Sequence, residues 1–222
     1  MVHSQVTIIT PLSFEAQQLR GIASSHRWSV RICGPGAGGV QRFGEQCSIP
    51  AGATVILAGL GGGLNPSLQV GDLVVANEVL NGHGVAFTPP LQRPEAGGRV
   101  VSSNVICSTP SDKSDLRDRS GADAVDLESG PFAALAEDRG WIWGVLRGIS
   151  DDASMELPLE CSQWTSSKGQ LRPMNLAWSV LRQPRLALQL PRLGQHSRMA
   201  MGAVAQGLSE LLESQSNRPD AL

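Results

Sequence analysis

Four carboxylates stand where the buried apolar runs of this sequence give out. Glu15 comes shortly after "VTIIT" (6–10), Asp126 and Glu128 straddle the end of "GADAVDL" (121–127), and Asp151 follows "WIWGVLRGIS" (141–150). Acids at such ends can cap a helix, grip hydroxyl groups or move protons. If the segment stays extended, alternation puts Asp126 and Glu128 on one face and Leu127 on the other. Bland accounts exist for each: a solvated turn for that pair, a helix N-cap for Asp151, and a first-turn acid favoured by the helix dipole for Glu15.

The elements that must position these acids are short. Strands are expected at 6–10, 28–33, 53–59, 71–80, 98–107, 121–127 and 141–150, from compact β-branched and apolar runs. Helices are expected over "SFEAQQLRGIASS", with Ser13 as N-cap, and after Thr109, with Pro110 at the first helical position and Asp112 at the third. A third, "GPFAALAEDRG", is closed by Gly140. Glycine clusters, "GPGAGG" (34–39) and "GLGGG" (59–63), fall past the second and third strands. Strands alternating with helices indicate an α/β chain with much of its sheet covered on both faces. Ligands in such sheets bind beyond the carboxyl ends of the strands, where Glu15, Gly59 to Gly63, Asp126, Glu128 and Asp151 all gather.

Composition narrows the class of protein. With 222 residues, 41% of them apolar and 17% charged, one α/β domain over 1–222 with a large core is the first reading. A net charge of −2 gives no electrostatic reason to expect nucleic acid as a partner. Cys33, Cys47, Cys107 and Cys161 form no CxxC pair and have no close histidine, so no metal site is expected and buried thiols in a reducing compartment are the simple account. No signal peptide or apolar run of membrane-spanning length is visible, so a cytoplasmic location is expected.

"GPGAGG" matches G-x-G-x-x-G at Gly34, Gly36 and Gly39, but it follows the second strand and no acid closes a strand some 20 residues on. That weighs against a dinucleotide-dependent oxidoreductase. A turn offering backbone N–H groups to a ribose or phosphate oxygen, or a plain tight turn, fits as well. "GLGGGLNPSLQVGDLVVANEV" (59–79) is more specific, since its glycines let a ligand approach the backbone without Cβ obstruction.

With "AVDLES" and "LRGISDDA", that stretch resembles the nucleoside phosphorylase and nucleosidase family, which includes methylthioadenosine/S-adenosylhomocysteine nucleosidase. The three motifs occur in the family's order, and the resemblance covers nearly the whole chain. Within it the likeness is closest to the hopanoid-associated phosphorylases, which share "TPSDKSDL" leading to "AVDLES" and the tail "LRQPRLALQLPRLGQHS". The resemblance implies a three-layer α/β/α sandwich around a central mixed sheet, a purine nucleoside as substrate, and a homo-oligomer. It implies that Asp151 protonates N7 of the departing purine, directly or by relay, that Glu128 holds the ribose hydroxyls, and that Glu15 takes the place of the acid that activates the attacking water in the nucleosidases. Leu127 replaces the family's usual methionine beside the sugar, and Asp126 is shorter than the common glutamate. Gly59, Gly61 and Gly62 would lie against the ligand. No cofactor is implied beyond inorganic phosphate as a co-substrate.

Water and phosphate both remain open as nucleophile. Leu60 stands where many relatives carry serine or threonine, and no convincing arginine pair for phosphate is found: Arg31, Arg42 and Arg147 are candidates, Arg147 being as easily a strand residue with a structural ion pair. Phe14, Phe87 and His83 are candidates for the base pocket, although a core or surface place suits each individually. A degenerate relative that binds nucleosides without cleaving them is the alternative from another class.

The C-terminal region, 168–214, reads as a helical extension. Met201, Val204, Leu208 and Leu211 have helical spacing and should pack onto the domain. Upstream, leucines mix with Arg182, Arg185 and Arg192 between two prolines. This suggests a short amphipathic helix with a solvated basic side. The alternative is a flap over a long apolar 5′-substituent, such as that of adenosylhopane, the substrate proposed for the hopanoid-associated relatives, or a peripheral contact with anionic lipid.

Overall fold

A computed structural model of the chain describes residues 6–93, 97–158 and 163–216. The strands are β1 (Thr7–Thr10), β2 (Ser29–Ile32), β3 (Thr54–Gly63), β4 (Leu73–Leu80), β5 (Ala86–Phe87), β6 (Gly98–Ser102), β7 (Ala124–Asp126) and β8 (Ile142–Asp151). The helices are α1 (Ser13–His26), α2 (Gly36–Gln46), α3 (Pro110–Ser120), α4 (Ser129–Asp138), α5 (Pro173–Arg182) and α6 (Leu186–Ser216).

The strands make one mixed sheet with helices on both faces, the three-layer arrangement expected from the sequence. β1 lies between β2 and β3, parallel to both, and β8 runs parallel to β3 on its other side. Beyond β8 the sheet bends back on itself. β8 pairs antiparallel with β4, β4 parallel with β6, β6 parallel with β7, and β7 antiparallel with the end of β3. The long strands β3 and β8 therefore form the seam of a small closed ring of strands, and their carboxyl ends share one rim.

Alternation along the strands sorts the core. Ile8, Ile56, Ala58 and Leu146 face a layer containing Leu19 of α1 and Met201, Val204, Leu208 and Leu211 of α6. Ile9, Val55, Leu57 and Val145 face the opposite way, toward Val40 of α2 and Phe132, Ala133 and Ala136 of α4. The four spaced apolar residues of α6 are thus buried as expected. Among the described residues no helix is long and apolar enough to cross a membrane.

Three local expectations are corrected. The glycine run does not leave the sheet at Gly59: β3 continues to Gly63, because β8 and β7 supply backbone partners on both edges. The N-cap of α1 is Leu12 rather than Ser13, since the acid at the third helical position reaches back to the Leu12 N–H. Finally, the stretch between Pro184 and Pro191 is not a separate short helix: it opens α6, which continues through Pro191 to Ser216. By contrast Thr109 caps α3 as expected, its hydroxyl accepting from Asp112 N–H at 3.1 Å and its own N–H reaching the Asp112 carboxylate.

Candidate active site

Glu15 is placed by the turn from β1 into α1. One carboxylate oxygen accepts the Leu12 N–H at 2.8 Å and fastens the helix start. The other accepts the Leu60 N–H at 2.8 Å and fastens the helix to β3. The side chain is 1% exposed. Burial pushes its pKa up to about 7, against the pull of the Leu60 N–H, Arg147 and the Leu12 N–H.

Arg147 enters from β8, directly opposite Gly59 of β3. It is fully buried and ion-pairs with Asp126. The same nitrogen lies 3.5 Å from Glu128 Oε2 and 3.5 Å from Ser129 Oγ, and its neighbour donates to the Leu60 carbonyl at 3.5 Å. Asp126 is held further by the Ser102 hydroxyl at 2.9 Å and by the N–H and hydroxyl of Ser129. Glu128, the residue that leads into α4, accepts the Gly36 N–H at 2.7 Å. The "GPGAGG" segment therefore does offer a backbone N–H to an anion, and that anion is a carboxylate of this chain. Both Asp126 and Glu128 reach Arg147, so they share a face, with Leu127 half-buried between them. Burial raises the pKa of Glu128 because Arg147, the main opposing influence, is shared with the nearer Asp126.

Three buried carboxylates thus surround one guanidinium. Even with Arg147 charged, the cluster carries an excess of negative charge when all three acids ionise, and taking up a proton near neutrality relieves it.

The glycines explain how so many charged groups fit beside one strand. A Cβ on Gly59 would sit 2.7 Å from Glu15 Oε1 and 2.8 Å from Arg147 Nη1. One on Gly61 would lie 3.2 Å from the Arg147 Cβ, and one on Gly62 3.1 Å from Asp151 Oδ2. The missing side chains at these positions leave room for the side chains that line the strand.

Asp151 is the last residue of β8, opposite Gly62, three residues farther along the glycine run than the Arg147 cluster. That is about 10 Å at the usual strand rise. It has its own cation: Lys113 Nζ donates to Asp151 Oδ2 at 2.6 Å, to the Asp152 carbonyl at 2.6 Å and to the Met155 carbonyl at 3.2 Å. All three ammonium protons are thereby used in a place with no solvent exposure. The Ser150 hydroxyl donates to Asp151 Oδ1 at 2.7 Å. Burial raises the Asp151 pKa, and Lys113 is the chief opposing influence.

The sequence reading did not single out Lys113. It lies in the polar stretch "PSDKSDLRDRS", where no apolar stripe marks an inward face. Arg147 was named only as a phosphate candidate or a structural ion pair, and the ion pair is what the structure contains.

The hairpin Trp164–Arg172 covers the rim near Glu15 and Gly36. Gly169 O accepts from Ser13 N–H at 2.8 Å, and Arg42 donates to Ser167 O at 2.8 Å. Gly34, at φ +88°, packs beneath the Ser167 carbonyl, leaving no room there for a side chain. A cleft of about 690 Å³ opens on the other side, walled by Leu64, Asp152, Ala153 and Met155 together with Arg192 of α6. Glu15, Asp126, Glu128 and Asp151 do not themselves line it; Asp151 stands one residue from its wall.

The remaining candidates are dispersed. Phe87 is half-buried on edge strand β5, opposite Val79, and packs against the core. Phe14 packs with the α1 and α6 layer. His83 and Arg31 are exposed.

Residues 88–182 match the model of the phosphorylase superfamily. No curated protein matches the sequence. Among solved structures, a putative 5′-methylthioadenosine/S-adenosylhomocysteine nucleosidase from Francisella philomiragia superposes with a TM-score of 0.64 at 14% identity, covering 95% of this chain and 99% of that one. A methylthioadenosine/S-adenosylhomocysteine nucleosidase from Neisseria meningitidis, in complex with methylthio-immucillin-A, gives 0.65 at 16% identity, covering 95% and 99%. Futalosine hydrolase of Helicobacter pylori gives 0.62 at 15% identity, covering 95% and 98%. The chain has the nucleoside phosphorylase-like fold.

Proposed function

We propose that this chain cleaves the N-glycosidic bond of an adenosine-type purine nucleoside modified at its 5′ position, and that water is the nucleophile. The observation that carries this reading is the set of buried acids along one glycine-bearing strand. Glu15, Asp126 and Glu128 cluster on Arg147, and Asp151 stands farther along with Lys113. The fold shared with nucleosidases, and the superfamily match over 88–182, support the same reaction class.

A nucleoside lying along β3 would have its sugar at Glu128 and its base at Asp151. Glu128 would accept hydrogen bonds from the ribose hydroxyls as positive charge develops at C1′. Asp151, whose pKa is raised by burial, would deliver a proton to N7 as the bond from C1′ to N9 breaks and its electron pair passes to the purine. Water would add at C1′, and Glu15 would accept its proton, a task suited to a carboxylate with a pKa of about 7. Asp126 and Arg147 would hold Glu128 in place. Lys113 acts through Asp151, fixing its orientation, and is a positioning residue.

The choice of water rests on charge. Phosphate would have to enter a cluster of three carboxylates whose one cation is already engaged by Asp126 and Glu128. Phosphorolysis is the second reading, favoured by the resemblance of "TPSDKSDL" and the tail to hopanoid-associated phosphorylases. On that resemblance, adenosylhopane is the 5′-modified substrate to try first. Incubation with adenosine, 5′-methylthioadenosine and adenosylhopane, with and without phosphate, followed by mass analysis, tests both. Free base with a ribose derivative supports hydrolysis, and a ribose 1-phosphate formed only with phosphate supports phosphorolysis. Absence of base release, with nucleoside binding retained, would mean a catalytically degenerate binding protein.

A further inference from the structure

The charges of this chain are unevenly distributed. From residue 161 to residue 209 the sequence contains Lys168, Arg172, Arg182, Arg185, Arg192 and Arg198 and no aspartate or glutamate, although acids outnumber cations in the chain as a whole, 20 to 18. The same stretch carries a concentration of exposed apolar side chains. Leu171, Met174, Trp178, Leu181 and Leu188 all stand in solvent, Trp178 at 59% and Leu188 at 83% exposure.

The arrangement on α5 is directional. At 100° per residue, Met174, Trp178 and Leu181 fall within about 60° of arc, with Arg182 beside them. The other side of the helix faces the protein: Ser179 is buried and accepts a hydrogen bond from the Trp164 indole at 3.0 Å, and Leu176 and Val180 are half-buried. At the start of α6, Leu186 is buried while Leu188 points out. The helix is therefore anchored by one side and presents tryptophan, leucine and methionine flanked by arginine on the other.

We propose that this face docks on an anionic lipid surface. Apolar side chains of this kind enter the boundary between headgroups and acyl chains, tryptophan favours that boundary, and the arginines meet the lipid charge. A second copy of this chain is a poorer occupant, because a two-fold contact of the face with itself would set cation against cation with no acid in the stretch to offset them. The proposal stands on this surface alone and is independent of the chemistry assigned to the acids.

Flotation of the full chain with vesicles of phosphatidylcholine, and of phosphatidylcholine mixed with phosphatidylglycerol, tests it. Binding is expected only to the mixed vesicles and should weaken as salt rises. Trp178→Ser with Leu181→Ser should abolish it, and Arg182→Gln with Arg185→Gln should reduce it roughly 10- to 30-fold, with the melting temperature unchanged in both. Equal binding to both vesicle types, or to neither, overturns the proposal. So does self-association by sedimentation that disappears in the Trp178→Ser, Leu181→Ser variant while lipid binding is absent, which would give the face to a second copy.

Discussion

Replacing Lys113 with methionine probes a buried ion pair while keeping most of the side-chain volume. The ammonium has no solvent exposure, and its partner Asp151 is 5% exposed over its side chain. Its loss strands a buried carboxylate and removes the donor from the Asp152 and Met155 carbonyls. Breaking one side of such a pair costs about 3–5 kcal/mol. For a chain of this length that is a fall in melting temperature of roughly 6–20 °C. The loss depends on pH with a definite sign. Without Lys113, the folded-state pKa of Asp151, already raised by burial, rises further above its unfolded value. The variant's deficit is therefore largest at pH 8, where folding must bury the anion, and shrinks toward pH 5 as Asp151 takes up a proton. Asp151→Asn alone leaves the ammonium buried and unpaired, at a similar cost. The double variant buries no charge, so its loss should fall short of the sum of the two singles by about 1–3 kcal/mol. Thermal melts followed by circular dichroism at the two pH values measure all of this. A single-variant loss below about 1 kcal/mol, or strict additivity in the double variant, would refute the reasoning.

Other perturbations test the Arg147 cluster. Because burial lifts Glu15 from an ordinary 4.5 to about 7, folding favours its protonated form, and its contribution to stability is lost as pH rises from 4.5 through 7. Glu15→Gln should flatten that part of the stability profile measured by urea titration, and an unchanged slope would contradict the raised value. Gly59→Ala forces a methyl group against both Glu15 and Arg147 and should cost about 1–3 kcal/mol and most of the base-releasing activity, whereas Gly62→Ala, with its nearest atom at 3.1 Å, should be milder in melts and assays alike. Glu128→Gln should lower kcat/KM for ribonucleosides more than for their 2′-deoxy counterparts, read from initial rates; equal losses would remove the sugar-holding role.

The fold was legible where local chemistry sufficed. The β-branched run of β1, the Thr109–Pro110–Asp112 helix start and the spacing of Met201, Val204, Leu208 and Leu211 needed no tertiary information. The glycine run at 59–63 was not legible as strand, because glycine has low strand propensity and only the pairing with β8 and β7 holds it extended. The acids could be named because each lies at an end of an apolar run. Their partners were harder. A lone Arg147 within "WIWGVLRGIS" does signal a buried cation in need of acids, but not which acids. Lys113 gives no such signal, since it becomes buried only when α3 lies over the end of β8.

The most direct measurement of the central claim is adenine release from a 5′-modified adenosine by the wild-type chain, by Asp151→Asn and by Glu15→Gln, with nucleoside affinity determined for each by calorimetry. Release by the wild type, falling at least 10²-fold in both variants while affinity changes little, is the predicted result. Release that continues undiminished in the variants, or fails in the wild type despite tight binding, would contradict it.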